Sequence, residues 1–132
     1  MPPRIDLDRS DILRVVRAFY ARVRQDETLG PIFGSHVDDW PTHEEKITRF
    51  WASALLFEGA YHGNPMREHM KAGNVRPDHF PRWLELFDET LTEMIAEPKK
   101  AQWSMLAHRI GRELSMGLSD FQRPKEIVPH LT

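Results

Sequence analysis

The sequence predicts an all-α protein. Four long segments place apolar residues at three- and four-residue spacing, and no window between turn signals alternates with period two. A length of 132 residues, with 40% hydrophobic and 29% charged composition, suits a single domain built on one core. That domain is expected to span 1–132, with its core over about 10–118 and a proline-bearing tail over about 122–132.

The first helix starts near Asp8 or Ser10, either of which can cap orphan N–H groups, and turns Ile12, Val15, Val16, Phe19, Tyr20 and Val23 to one side. It ends in Gln25-Asp26-Glu27-Thr28, after which Gly30-Pro31 predicts a turn ahead of Ile32-Phe33-Gly34. A second helix starts near Pro41, with Asp39 or Thr42 as cap and His43, Ile47, Phe50, Trp51, Ala54 and Leu55 inward. Gly59 ends it. A loop through Tyr61-His62-Gly63-Asn64 leads to Pro65, which fits the start of a short helix carrying Met66, His69 and Met70. The third long helix begins between Pro77 and Pro81 and directs Phe80, Trp83, Leu84, Phe87, Leu91, Met94 and Ile95 inward. Glu97-Pro98 interrupts the pattern before a fourth, with Trp103, Leu106, Ala107, Ile110, Leu114 and Leu118 inward.

Composition excludes several functions. The 18 Lys plus Arg nearly balance 20 Asp plus Glu, for a net charge of -2, which removes the electrostatic case for nucleic acid or an anionic membrane surface. With no cysteine there are no disulfides, no thiolate-held zinc or iron–sulfur cluster, and no thiol nucleophile. No apolar run approaches the roughly 18 to 20 residues of a membrane span. The opening MPPRIDLDRSD puts prolines and aspartates where a secretory signal has its apolar stretch, so a cytoplasmic location is expected.

Seven histidines, four tryptophans, seven phenylalanines and six methionines are the unusual counts. His36, His108 and His130 fall in polar surroundings and are expected to be solvated. His43 shares the inward stripe of Ile47 and Trp51, and His69 lies between Met66 and Met70 on the short helix. An unpartnered buried imidazole costs on the order of 1–3 kcal/mol, and a metal can satisfy one of the two. The chain has no helical Glu-x-x-His pair for a di-iron centre. An iron porphyrin needs one protein nitrogen and a flat apolar slot, and both are available.

These residues fall into separated blocks that agree in order and spacing: Phe19 to Arg24, Leu29-Gly30-Pro31-Ile32-Phe33, His43 through Phe50-Trp51, Tyr61 to Met66 with His69, and Phe80 to Phe87. Over roughly residues 10–118 the chain resembles the truncated haemoglobins, more narrowly their third group. Phe57, in Leu55-Leu56-Phe57-Glu58-Gly59, departs from the tighter glycine turn of that pattern. The resemblance implies a two-over-two helical sandwich around haem b, with His69 as proximal iron ligand and Phe33 packing on the porphyrin. It implies Tyr20, His43 and Trp83 as the distal residues that stabilise a bound ligand. Ile47 stands behind His43, Met66 and Phe80 are expected as haem contacts, and Lys46 is the expected partner of a haem carboxylate, with Arg49 and Arg76 competing.

A gas ligand polarised by iron is a strong acceptor, and each buried donor adds roughly 0.5–1.5 kcal/mol to its retention. A site that holds oxygen, nitric oxide or carbon monoxide so firmly is poor at delivery, which favours redox chemistry on nitric oxide or peroxide over bulk transport. Turnover needs electrons, and with no flavin or nicotinamide motif in the chain a separate reductase is expected as partner. An oxygen-binding or sensing module without turnover is the alternative. A domain that kept the fold and lost the cofactor is a third reading, opposed by Tyr20, His43, His69 and Trp83 occurring together.

Overall fold

A computed structural model describes residues 5–56 and 63–122 of the chain. Phe57, His62, His130, the tail beyond 122 and the Met70 side chain lie outside the described residues. Six α-helices and one 3-10 turn make up the described chain, without strands.

Helix α1 (Arg9–Gln25) is capped by Asp8, whose carboxylate accepts from the Asp11 amide at 2.9 Å, while the Asp11 carboxylate accepts from the Asp8 amide at 3.2 Å. Its buried face is Ile12, Val15, Val16, Phe19, Tyr20 and Val23, as the periodicity predicts. The expected turn at Gly30-Pro31 is instead inside a short helix, α2 (Leu29–Gly34). The Asp26 carboxylate accepts from the Thr28 and Leu29 amides at 3.1 and 2.9 Å and starts it. Pro31 is its third residue, where an N–H would have no intrahelical acceptor. Gly30 is required there because a Cβ would fall 2.9 Å from the Arg24 carbonyl oxygen.

Helix α3 (Trp40–Leu56) follows, the Thr42 amide donating to Asp39 at 3.2 Å. Helix α4 (Pro65–Ala72) is capped by Asn64, which accepts from the Arg67 amide at 3.1 Å. A 3-10 turn (Pro77–His79) feeds α5 (Phe80–Met94), with Pro81 in the first turn where its missing N–H costs nothing. Met94 does not point inward as expected: it is the last helical residue and 38% exposed, because Ile95 leaves the helix in an extended conformation. Helix α6 (Lys99–Gln122) closes the described chain.

Helix α1 packs on α3, α5 packs on α6, and α1 also crosses α5, so two helix pairs stack one over the other. Helix α4 and the 3-10 turn rest on α6. At the centre Phe87 lies nearly parallel to Trp51, at 5.4 Å and 18°, and to Trp83, at 5.6 Å and 2°. Trp103 meets Trp51 and Phe87 edge-on at 5.7 and 5.6 Å. Glycine inside a helix costs roughly 0.5–1 kcal/mol relative to alanine, yet α6 carries Gly111, where a Cβ would come within 3.2 Å of Leu84 on α5. That glycine permits the close approach of α5 and α6. Arg82, on α5, pairs at 2.8 Å with the buried Asp26 carboxylate and ties α5 to the α1–α2 corner.

Candidate functional site

The stacked pairs leave between them a cavity of about 400 Å³. Tyr20 enters it from α1, Phe33 from α2, His43, Lys46 and Ile47 from α3, His69 from α4, and Phe80 and Trp83 from α5. Ile110 and Leu114 of α6 complete the wall, so all six helices converge on one space. Of the expected contacts, only Met66 is not in its wall; the Met66 thioether lies instead against Gly117 of α6. Lys46 lines the cavity, whereas Arg49 pairs with Glu45 at 3.4 Å and Arg76 with Asp78 at 2.6 Å. His36 and Lys71, both exposed, also line it, so the cavity reaches the surface. His36 is not simply solvated, since its Nε2 donates to Asn74 Oδ1 at 2.6 Å. His108, exposed, pairs with Asp88 at 2.6 Å.

Polar groups gather in one corner. The Tyr20 and His43 rings meet edge-on at 5.0 Å, with Phe33 at 5.7 Å from Tyr20 and Trp40 at 5.9 Å from His43. Arg24 lies 4.8 Å over the Trp40 ring and closes the outside of that corner. Burial, with the Glu44 charge adding, pushes the Tyr20 phenol well above its ordinary value, so its O–H stays a donor at neutral pH. Burial, then the Lys46 charge, lowers the His43 imidazole from 6.5 to about 4, so it is neutral. Its Nε2 is buried with no hydrogen-bond partner, which ordinarily costs on the order of 1–3 kcal/mol.

On α4, His69 Nδ1 is 2.6 Å from the Pro65 carbonyl oxygen. A carbonyl only accepts, so the proton resides on Nδ1, and the Nε2 lone pair is left for a ligand. The His69 ring lies 5.7 Å from Phe80. No cluster of three metal-ligating side chains occurs among the described residues. What the site offers is one imidazole nitrogen, aromatic and aliphatic walls, and a separate corner with an unpartnered ring nitrogen. That donor set fits a flat cofactor whose metal takes a single protein ligand, and does not fit a closed metal site.

Sequence reasoning missed much of the remaining wall: Val37 and Val75 lie between helices, Ala72 ends α4, His79 ends the 3-10 turn, and Leu114 is expected only as packing. Trp40, outside the wall at the start of α3 and edge-on to His43 at 5.9 Å, was also missed.

A two-over-two helical sandwich around an apolar cavity, with a histidine on a short helix in its wall, is the structure of a small globin. Residues 7–111 match the model of the bacterial-like globins, and the chain belongs to that family, as a group III truncated haemoglobin. It is 37% identical over 98 residues to a group 3 truncated haemoglobin of Campylobacter jejuni, a match covering 71% of this chain and 77% of that one. The crystal structure of the group III truncated haemoglobin from Campylobacter jejuni superposes with a TM-score of 0.81 at 33% identity, over 87% of this chain and 94% of that one. As a globin the protein uses haem and binds diatomic gases. Among the described residues no helix is long and apolar enough to cross a membrane.

Proposed function

We propose that the chain holds haem b through His69 and binds oxygen, nitric oxide and carbon monoxide beside Tyr20, His43 and Trp83. We propose that this serves redox chemistry on nitric oxide, and secondarily peroxide, with electrons from a separate reductase, and not bulk oxygen transport. When bound, haem supplies an iron that takes up diatomic ligands and exchanges single electrons.

The observation that carries the reading is the polar corner itself: a buried phenol O–H beside a buried imidazole nitrogen without a partner. Tyr20 donates to the outer atom of a ligand, and the Trp83 indole N–H is the second donor. Each such bond is worth roughly 0.5–1.5 kcal/mol, so two slow ligand escape by about tenfold or more. His43, neutral at pH 7, is able to accept a proton there. Lys46, Phe33, Ile47 and Phe80 all line the cavity, which supports Lys46 as the partner of a haem carboxylate and the other three as apolar surface for the porphyrin.

The partner of His69 supports nitric oxide over peroxide as the substrate. A neutral backbone carbonyl on Nδ1 makes the imidazole less basic than a carboxylate would, which gives little assistance to cleaving a peroxide bond. Nitric oxide is therefore placed ahead of peroxide. The test is rapid mixing of the oxygen-loaded holoprotein with nitric oxide, with nitrate as the readout. Stoichiometric nitrate that becomes catalytic when a reductase is added supports the reading; release of oxygen without nitrate overturns it.

A further inference from the structure

Helix α4, which bears His69, is seated shallowly. None of its described side chains is fully buried, and its packing is against α6. The contact is specific: the Met66 thioether occupies a notch that exists because residue 117 is glycine, since a Cβ there would fall 2.7 Å from Sδ and closer still to Cε. Two side chains from the same stretch of α6 hold the chain that leaves α4. Gln122 Nε2 donates to the Val75 carbonyl at 2.7 Å, and Ser115 Oγ reaches the Pro77 carbonyl at 3.5 Å. Met66 and His69 are three apart on α4 and so are neighbours on its surface.

We propose that the last two turns of α6 position His69 against the cofactor, with Met66, Gly117 and Gln122 as positioning residues for ligand binding. This rests on His69 being the axial ligand. A bond between iron and imidazole tolerates little change in length, so a small displacement of α4 is felt as tension on that bond. Three observations support control from α6. Glycine is disfavoured inside a helix and is retained where Met66 crosses. The segments on both sides of His69, at Met66 and at Val75, are held by the same element. The described side chains of α4 bury too little to fix its position from within.

The test is resonance Raman spectroscopy of the ferrous, ligand-free holoprotein, read at the iron–histidine stretching band, together with carbon monoxide dissociation. Gly117→Ala is expected to shift the band slightly, because the flexible thioether can yield. Gly117→Val is expected to shift it further and to change the dissociation rate. The exchange of sizes in Gly117→Ala/Met66→Ala should bring the band back towards wild type, which a general loss of stability would not do. Gln122→Ala, at an exposed position, keeps the test open if Gly117→Val fails to fold, and it too should move the band. An unchanged band in the Gly117→Ala and Gln122→Ala holoproteins overturns the proposal even if their melting temperatures fall. His69→Ala separates the two readings: an iron–histidine band that survives there shows that the ligand assignment has failed, whereas its loss with no response to Gly117 or Gln122 shows that only the positioning has.

Discussion

His69 Nδ1 donates to the carbonyl oxygen of Pro65, 2.6 Å away and one turn back on the same helix. Proline has no N–H of its own and starts the helix, so its carbonyl is placed to accept both from the helix and from the ring. The bond selects one tautomer and orients the other nitrogen without recruiting a residue from elsewhere in the fold.

His69→Ala is therefore expected to lose stable haem ligation, and added imidazole should restore it by filling the space left by the ring. A Soret titration with and without imidazole checks both halves. A variant with the native carbon monoxide spectrum and no response to imidazole would refute the assignment.

Tyr20→Phe removes the main donor and keeps the ring that packs against Phe19 at 5.0 Å. Oxygen dissociation should quicken about tenfold, the equivalent of a hydrogen bond worth about 1.4 kcal/mol, with little change in melting temperature. Stopped-flow displacement of oxygen by carbon monoxide measures it. Because burial holds the phenol above its ordinary value of 10.0, Tyr20 should leave the wild-type rate flat with pH up to that value.

The His43 imidazole, lowered from 6.5 to about 4, gives a signed pH dependence. The folded value lies below the unfolded one, so the unfolded chain takes up the proton first as pH falls. This contribution to stability is complete above 6.5 and is lost as pH drops towards 4. Urea unfolding of wild type and His43→Phe at steps across that range should show the wild type losing more stability. Parallel curves would assign the acid sensitivity to other groups.

Asp26 joins three structural duties: it accepts from the Thr28 and Leu29 amides and pairs with Arg82. Burial raises its carboxyl, but the Leu29 amide and the Arg82 guanidinium outweigh that and hold it below 3.8. Asp26→Ala should cost about 2 kcal/mol, since it leaves the Thr28 and Leu29 amides without their acceptor, while Arg82 keeps its pairing with Glu85 at 2.6 Å. Arg82→Ala should cost less, because Arg82, unlike Asp26, is partly exposed. Thermal unfolding of both decides it, and equal small losses would show that the α1–α2 corner is held by packing alone.

The long helices were legible because their apolar stripes repeat over three or more turns, and the blocks from Phe19 to Phe87 carried the family. Helix α2 was not, because Gly30-Pro31 reads as a turn, and only the Asp26 side chain and the close approach to Arg24 make a helix there. The wall residues Tyr20, His43, Ile47, Phe80 and Trp83 were legible as inward positions on helical stripes, and Phe33 only through the family resemblance. Met66 was not, since its direction depends on where α6 crosses α4, a relation between residues 66 and 117 that no local pattern encodes. Met94 failed for a similar reason: the stripe continues to the end of α5, but the core beneath it does not.

Tyr20, Leu29 and Trp51 belong to the hydrophobic core and also form the cavity wall. Cofactor uptake and folding thus draw on the same side chains. By mass action, haem present at a hundred times its dissociation constant adds about 2.7 kcal/mol to the folded state, a large share of the stability of a domain this size. The folded fraction then depends on how much haem is present as well as on the chain's own contacts, so the apoprotein is expected to melt at a lower temperature than the holoprotein.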